Sequence, residues 1–425
     1  FFTFFANTPD QVALMINSMS AICSSFTILF LFWTITSFGK KMFLKKEGIT
    51  DASTIAILGA GVVGSLAYAF SDSFWFSAVE GEVYAMSSLF TAVTFWCILK
   101  WEEVASSPSS SKWLVLIAYL IGLSIGVHLL SLLTIPAMGM IYYFKNHQYS
   151  HQGAFQALII STIILVFIQG IFIPQTANMM GTFDRIFVNS FNLPFNSGVI
   201  AFIFLMMLGL FWGIYYSIKK RKSTWGTISL AVLMLFIGYS SYATVIIRST
   251  AKTPINIGAP DDALKLSSYL QRDQYGDWPI LSGQQYNQKY PFVNPVGVVE
   301  TGKNYEKDTV SNLYEEVSVD QKYNYKESSF FPRMWSDQKV SGYNRWRRSN
   351  TSKKGKEKIT FGENIRFFLD YQIGWSYVRY FMWNFAGKQN DIMNMDQNDV
   401  YGNWESGISI GKDDEAPSHL KNNKG

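Results

Sequence analysis

Seven long apolar runs in the first 247 residues restrict the chain to helices that span a membrane. The runs are separated by short polar breaks and cover residues 11–37, 52–73, 77–99, 113–144, 154–174, 198–218 and 225–247. A helix needs roughly 20 apolar residues to cross a bilayer core. The run at 113–144 is too long for one such helix, so we predict two short helices that meet near Gly126 and His128. The sequence therefore predicts eight spans.

Charged residues are sparse before residue 248 and dense after it. Residues 1–247 contain 12 Lys and Arg and 9 Asp and Glu, whereas residues 248–425 contain 24 and 22. The pattern predicts a transmembrane domain at 1–248 and a water-facing domain at 249–425. The formal net charge of +5 is spread over both parts, which argues against a nucleic-acid partner.

The basic residues of the first part predict its orientation, because cytoplasmic loops are enriched in Lys and Arg. Eleven of them fall on alternate loops: Lys40, Lys41, Lys45, Lys46, Lys100, Lys112, Lys145, Lys219, Lys220, Arg221 and Lys222. The opposite loops are predicted at 71–76, 126–128 and 175–197. Arg185 is their single basic residue. Residues 249–425 are therefore predicted to lie on the exterior side.

The hydrophilic second part has a mixed pattern of helices and short strands, so the predicted fold class is an α-helical polytopic membrane protein with a C-terminal α+β exterior domain. Residues 363–391 carry an aromatic side chain on nearly every turn, with Arg366, Arg379 and Lys388 among them. Such a segment is typical of a helix at the headgroup level of a membrane. A buried helix of the exterior domain is the alternative.

Three motifs that suggest chemistry have simpler explanations. "GAGVVG" at 59–64 matches a dinucleotide fingerprint, but that fingerprint needs a preceding strand. Here it lies in an apolar run, where small residues let helices approach closely. "GLSIG" at 122–126 has the same interpretation. His147 and His151 lie four residues apart without a third ligand nearby, so no metal site is predicted there.

The strongest candidates for a site are three carboxylates in "SDSFWFSAVEGEVYAM", residues 71–86. Asp72 ends the second apolar run, and Glu80 and Glu82 begin the third, which predicts all three near the exterior membrane boundary. A helix N-terminus stabilises a nearby carboxylate, which is a structural explanation. It does not cover both glutamates, since residues two apart point to opposite sides of a helix. An ionisable group inside a membrane bundle is a functional candidate.

Three more residues complete the predicted site as substrate-binding groups. His128 falls at the turn between the two short helices, where an imidazole can bind phosphate or act as a base. Capping of that turn is the alternative role. Arg185 lies in the predicted loop at 175–197, and Arg248 ends the last span. Arginines beside an acidic cluster suit a lipid phosphate whose headgroup reacts outside the membrane.

Five segments resemble the bacterial members of the domain-of-unknown-function 2723 family. They are "FWFSAVEGEVYAM", "GLSIGVHLLSLLTIPA", "VNSFNLPFNSG", "YLQRDQYGDWPILSGQ" and "ENIRFFLDYQIGWSYVRYFMWNFAGKQND". That family resembles protein O-mannosyltransferases and has glycosyltransferase C-type membrane architecture. The resemblance implies an enzyme that transfers a sugar from a polyprenyl-phosphate donor to an exterior protein Ser/Thr or a glycan. It also implies a bacterial inner-membrane location with a periplasmic C-terminal region.

The resemblance implies the catalytic chemistry only in outline. Glu80 and Glu82 match the family segment E-G-E-V-Y, and His128 matches G-V-H-L-L, without an established role. The family's acidic motif after its first span has no match and would lie upstream of Phe1, so we expect the chain to be an excerpt that lacks this first candidate for the catalytic base. Glu80, Glu82 and Asp72 are the catalytic candidates within the chain. The implied reaction is an inverting displacement, in which a carboxylate deprotonates the acceptor while arginines or a divalent cation stabilise the leaving phosphate.

A non-enzymatic protein is the rival interpretation. In that case the chain is a membrane subunit or scaffold of an envelope secretion or motility complex. The aromatic segment at 363–391 is then its docking surface for other subunits.

Overall fold

The computed structural model divides the chain into two compact units. The described residues are 2–44, 49–275, 280–287, 298–323, 328–347, 359–388, 390, 403–406 and 408. One unit comprises Phe1–Gly276 with Glu306–Glu315, and the other Asp277–Tyr305 with Glu316–Gly425. The described parts are mostly helical, with short two-stranded sheets. The predicted class, a polytopic helical membrane protein with a mixed C-terminal region, is confirmed.

The first unit is a helical bundle. Its helices are α1 Pro9–Leu44, α2 Asp51–Ala69, α3 Asp72–Val79, α4 Val83–Val104, α5 Ser111–Ile125, α6 Thr134–Asn146, α7 His151–Phe167, α8 Ile173–Phe191, α9 Ser197–Lys219, α10 Ser223–Tyr239, α11 Ala243–Thr250 and α12 Ala263–Gln271. Short 3₁₀ segments lie at Phe2–Phe5, Leu129–Leu133 and Ser240–Tyr242. A π-helical segment, Ile168–Phe172, joins α7 and α8 into one continuous helix.

Six of the described helices are long and apolar enough to cross a membrane: Pro9–Phe43, Asp51–Ala69, Val83–Val104, His151–Phe191, Ser197–Lys219 and Ser223–Thr250. The predicted break near Gly126 and His128 is confirmed, because α5 ends before it and α6 begins after it. At ~1.5 Å per residue, α5 and α6 are each about 20 Å long, against a hydrocarbon core of ~30 Å. Crossing by both stays a prediction.

The predicted loop at 175–197 is wrong, since the chain stays helical to Phe191. Pro174 has no N–H to donate, and it lies just after the π-helical segment Ile168–Phe172, where the α-helical hydrogen-bond pattern already changes. Buried positions recur every three or four residues along the helix: Ile173, Ala177, Gly181, Asp184 and Val188. This face packs on α9 and α12, so tertiary packing stabilises a helix whose other side is polar.

Glycines set the closest contacts between helices. A Cβ atom on Gly122 would lie 2.3 Å from the Leu235 carbonyl oxygen, so α5 and α10 touch through their backbones. A Cβ on Gly61 would lie 2.7 Å from Thr36 Cγ2 on α1. The packing interpretation of both glycine motifs is therefore confirmed. An apolar cluster completes the core: Cys97, Ile98, Trp101, Ile117, Ile121, Ile125, Leu132, Ile135, Met138, Leu165, Ile173 and Tyr239.

The strands of the C-terminal region form three two-stranded sheets in the described residues. They are β1 Ser282–Gly283, β2 Val298–Asp308, β3 Leu313–Tyr323, β4 Ser329–Phe330, β5 Gly387–Lys388 and β6 Trp404–Glu405. β1 pairs antiparallel with β4, and β5 with β6. β2 and β3 form a hairpin through the turn at 309–312, and the tip of this hairpin belongs to the first unit.

The second unit has an aromatic core around short helices. Its helices are α13 Val340–Trp346, α14 Phe361–Phe367, a π-helical segment Phe368–Val378 and α15 Arg379–Trp383. The core consists of Tyr286, Met334, Tyr343, Trp346, Ile359, Phe367 and Trp375. Arg347 donates to Glu363 Oε1 from Nε at 3.0 Å and from Nη2 at 2.8 Å. This ion pair ties the end of α13 to the start of α14.

The aromatic segment predicted as a helix at 363–391 is helical from 361 to 383, while residues 389 and 391 lie outside the described residues. Its inner side repeats every four residues: Phe367, Tyr371, Trp375, Arg379 and Trp383. Its exposed side repeats with the same period: Phe361, Ile365, Leu369, Ile373, Tyr377, Phe381 and Phe385. In an α-helix of 3.6 residues per turn, side chains four residues apart drift around the helix axis. The wider turn of the π-helical segment reduces this drift, so each row stays on one side of the helix. The buried interpretation holds for the inner side, and headgroup contact of the outer side stays a prediction.

Candidate functional site

The predicted acidic residues surround a short extended link between α3 and α4. Glu80, Gly81 and Glu82 form the link, and both glutamates are exposed. The argument that they point to opposite sides of one helix is therefore wrong, because neither lies inside a helix. Glu82 is the N-cap residue of α4, so the helix dipole favours its carboxylate.

Gly81 fixes the position of this acidic link. A Cβ atom there would lie 2.9 Å from Ile16 Cγ2 and 3.2 Å from Asn17 Oδ1 on α1. A larger residue would push the link away from α1. Because residue 81 is a glycine, the backbone between the two glutamates lies directly against α1. Both carboxylates are exposed at the surface of the bundle.

Asp72 begins α3 rather than ending the second helix as predicted. α2 ends at Ala69, and the chain turns at Phe70 before α3 starts. The eight residues of α3 separate Asp72 from Glu80 by about 12 Å along the helix axis. α3 itself packs on α1 and α4. Asp72 therefore lies on the same short element as the link, at its other end.

His128 caps the 3₁₀ segment that follows α5, which confirms the capping role. Its Nδ1 accepts a hydrogen bond from the Leu130 amide at 3.2 Å, so a neutral ring carries its proton on Nε2. The ring lies 5.7 Å from that of Tyr84, centroid to centroid. Because Tyr84 is two residues from Glu82, this contact brings His128 to the first turn of α4.

The two predicted arginines lie on other elements of the first unit. Arg185 is half-buried on α8, and Arg248 is exposed in the last turn of α11. α8 packs on α9 and α12, whereas α4 packs on α1, α5 and α6. Joint binding of one phosphate by these arginines and the acidic link stays a prediction.

Sequence reasoning missed the importance of Asp184, which falls within the predicted loop at 175–197. Its carboxylate is 1% exposed and accepts three hydrogen bonds. Oδ2 accepts from the Asn196 amide at 2.9 Å and from the Tyr314 hydroxyl at 2.7 Å, and Oδ1 accepts from the Gly198 amide at 3.0 Å. The site is a buried anion at the N-terminus of α9, which the helix dipole stabilises.

Asn189 completes this attachment of the hairpin tip to α8. Its Nδ2 donates to the Tyr314 carbonyl at 2.8 Å, and its Oδ1 accepts from the Tyr314 amide at 2.9 Å. Burial raises the pKa of the Tyr314 hydroxyl, and the hydrogen bond to Asp184 raises this pKa further. The spacing of small and apolar residues along α8 is the signal that would have indicated a buried face at Asp184.

His147 and His151 lie at the two ends of the loop that joins α6 to α7. His147 follows the last residue of α6 and stacks on Tyr143, and His151 begins α7 and contacts Tyr149. The two imidazoles therefore do not share a helix face. Within the described ranges, no group of three or more His, Cys, Asp or Glu side chains could hold a metal ion.

Comparison with known proteins supports a glycosyltransferase-like N-terminal region. Residues 1–151 match the family described as protein O-mannosyl-transferase TMEM260 N-terminal domain, and residues 276–369 match a family of unknown function, DUF8416. The first match includes Asp72, the acidic link and His128. No curated protein and no solved structure matches the chain.

These observations define a multi-pass membrane protein whose N-terminal region resembles protein O-mannosyltransferases. The O-mannosyltransferase part of the resemblance seen in the sequence is thereby supported. Assignment to the domain-of-unknown-function 2723 family stays a prediction.

Proposed function

We propose that the protein is a glycosyltransferase of glycosyltransferase C-like architecture, which transfers a sugar from a polyprenyl-phosphate donor to an exterior protein Ser/Thr or to a glycan. The observation that carries the proposal is the match of residues 1–151 to a protein O-mannosyl-transferase domain. That match contains the acidic link, and the link is exposed where an acceptor can reach it.

Glu82 is the proposed general base of this reaction. Its carboxylate removes the proton from the acceptor hydroxyl as the hydroxyl oxygen attacks the anomeric carbon of the sugar. The bond from that carbon to the phosphate oxygen breaks, and the phosphate leaves with the electron pair. Inversion at the anomeric carbon follows from this single displacement.

The leaving phosphate needs positive charge or hydrogen-bond donors. His128 supplies an Nε2–H donor beside the first turn of α4, and Arg185 and Arg248 are proposed as phosphate partners. A divalent cation would supply the same stabilisation as a Lewis acid. Asp72 and Glu80 are proposed as additional carboxylates that hold the acceptor or such a cation.

The proposed location is the bacterial inner membrane, with residues 249–425 in the periplasm. Eleven basic residues on alternate predicted loops support this orientation. In this proposed topology, the acidic link, His128 and residues 249–425 are on the exterior side of the membrane, where the acceptor is found.

Transfer from labelled lipid-linked sugar tests the proposal. Full-length protein in proteoliposomes is incubated with radiolabelled polyprenyl-phosphate sugar and a Ser/Thr peptide, and labelled peptide is counted. Glu82→Gln should lower the rate by about 100-fold or more, because a carboxamide is not a base. Glu315→Gln removes an exposed carboxylate from the hairpin and should leave the rate unchanged. Absence of transfer by the wild type with any such donor would refute the proposal.

A scaffold function is the second candidate, and the exposed apolar row on the helical segment 361–383 favours it. Six exposed side chains at a constant spacing within that segment, with Phe385 just after it, suit a docking surface for another subunit. Co-purification of partner subunits, together with full cellular function after Glu80→Gln and Glu82→Gln, would support the scaffold over the enzyme.

A further inference from the structure

A groove of about 480 Å³ opens between α1, α2 and α4, far from the acidic link. Lys100 lines it near the end of α4, whereas Glu82 precedes the start of that helix. The 18 positions between them correspond to about 27 Å along the helix axis. This distance is close to the ~30 Å of a bilayer core, so the groove and the acidic link lie near opposite membrane faces.

The wall surface of the groove is mostly apolar. Except for Ile49, which precedes α2, the lining residues lie on helices that are long enough to cross a membrane. The apolar lining residues are Trp33, Ile49, Ile57, Leu58, Trp96 and Leu99. Gly39 lets α1 approach α2 here, since a Cβ on it would lie 3.3 Å from Ile57. Thr36, Ser37 and Thr54 also line the groove, but apolar surface predominates, so the part of the groove within the hydrocarbon layer suits an acyl chain.

Among the described residues, Lys40, Lys100 and Glu103 are the charged residues that line the groove, which leaves one positive charge in excess. Lys100 pairs with Glu103 at 2.9 Å and lies 5.5 Å from the Trp96 ring centroid. The neighbouring Lys41 pairs with Glu102. Lys40 lines the groove and has no ion pair within the described part of the chain. Lys45 and Lys46, which belong to the same predicted cytoplasmic loop, lie outside the described residues.

We propose that this groove is a binding site for an anionic phospholipid. One acyl chain lies along the apolar wall formed by Trp33, Ile57 and Trp96, and the headgroup phosphate lies between the ammonium groups of Lys40 and Lys100. Charge complementarity selects a headgroup with net negative charge, since basic pockets between transmembrane helices bind anionic lipids. The site is separate from the proposed sugar transfer and does not depend on it.

Lipid titration of the detergent-solubilised full chain tests this site. Bound lipid is measured by native mass spectrometry with phosphatidylglycerol and with phosphatidylcholine of the same acyl chains. Phosphatidylglycerol should bind several times more tightly to the wild type. Lys40→Gln should weaken phosphatidylglycerol binding about fivefold, as expected for one lysine near a lipid phosphate, and leave phosphatidylcholine binding unchanged. Lys40→Arg should retain the affinity.

Lys145→Gln is the matched control, because Lys145 is an exposed lysine at the end of α6 and does not line the groove. An equal loss of affinity in Lys145→Gln would overturn the site in favour of diffuse surface charge. Equal binding of the two lipids by the wild type would also overturn it. Displacement of phosphatidylglycerol by equimolar inorganic phosphate would refute a lipid site, since the acyl chain would then contribute nothing.

A second readout uses the tryptophans of the groove wall. Phosphatidylglycerol with brominated acyl chains quenches indole fluorescence on contact, so it should quench the wild type more than a Trp33→Phe, Trp96→Phe double variant. Equal quenching of the two proteins would place the acyl chain elsewhere and refute the assignment.

Discussion

The hydroxyl of Tyr314 should determine how firmly the hairpin tip is held on α8. It donates to the Asp184 carboxylate at 2.7 Å, and both side chains are buried. A hydrogen bond to a charged group contributes about 1.5–3 kcal/mol. Tyr314→Phe removes this one bond, while Asp184 Oδ2 keeps the Asn196 amide as a donor. The loss should therefore be about 2 kcal/mol, near the lower part of that range.

Hydrogen–deuterium exchange measures this loss directly. The Tyr314 amide is bonded to Asn189 Oδ1, so it exchanges when the tip leaves α8. A loss of about 2 kcal/mol corresponds to about 30-fold more opening, and amide exchange in the peptide around residue 314 should accelerate by that factor. Asn189→Ala removes the two amide bonds and should accelerate exchange further.

Lys303→Gln is the control for this experiment. It removes an ion pair with Glu316 in the same hairpin, and the exposed position of that pair predicts little change. Identical exchange in wild type and Tyr314→Phe would refute the assigned role of the hydroxyl.

Two further predictions concern the second unit and the helix packing of the first. Burial alone would raise the pKa of Glu363, but hydrogen bonds from Thr360 and Arg347 outweigh it and lower that pKa. The stabilisation from the ionised Glu363 carboxylate is therefore present above the unfolded carboxyl pKa of ~4.3 and is lost as the pH falls through the folded pKa. Glu363→Gln should lower the free energy of unfolding by about 2 kcal/mol. It should also make the acid-induced loss of the circular dichroism signal less steep. Gly122→Ala should destabilise the bundle by about 1–3 kcal/mol and reduce the monodisperse fraction in gel filtration, whereas Gly209→Ala should not, because nothing lies within 4 Å of its added Cβ.

Features that depend on neighbours in sequence could be predicted from the residues. The long apolar run divides at the predicted position because Gly126 ends α5 and His128 caps the next segment. The glycine motifs pack helices as expected, since a missing side chain allows close approach wherever two helices meet. The class of the fold followed from the length and number of apolar runs.

Features that depend on distant parts of the chain could not be predicted. α1 lies against the link at 80–82, with Ile16 and Asn17 beside Gly81, and no local pattern indicates that contact. Asp184 accepts a hydrogen bond from Tyr314, which lies 130 positions further along the chain. Its burial therefore could not be predicted from the residues around it. When Tyr314 is not considered, the polar segment after Pro174 has the composition of a loop. This composition is a stronger signal than the helical spacing of the small residues in the segment.

The four-residue repeat of the helix at 361–383 has an evolutionary consequence. One residue in such a repeat is a quarter turn, so a single deletion within Phe368–Val378 would rotate everything after it by about 90°. Trp383 would leave the interior, and an outward side chain would replace it. Length changes in homologous sequences should therefore come here in whole multiples of four residues, or be absent.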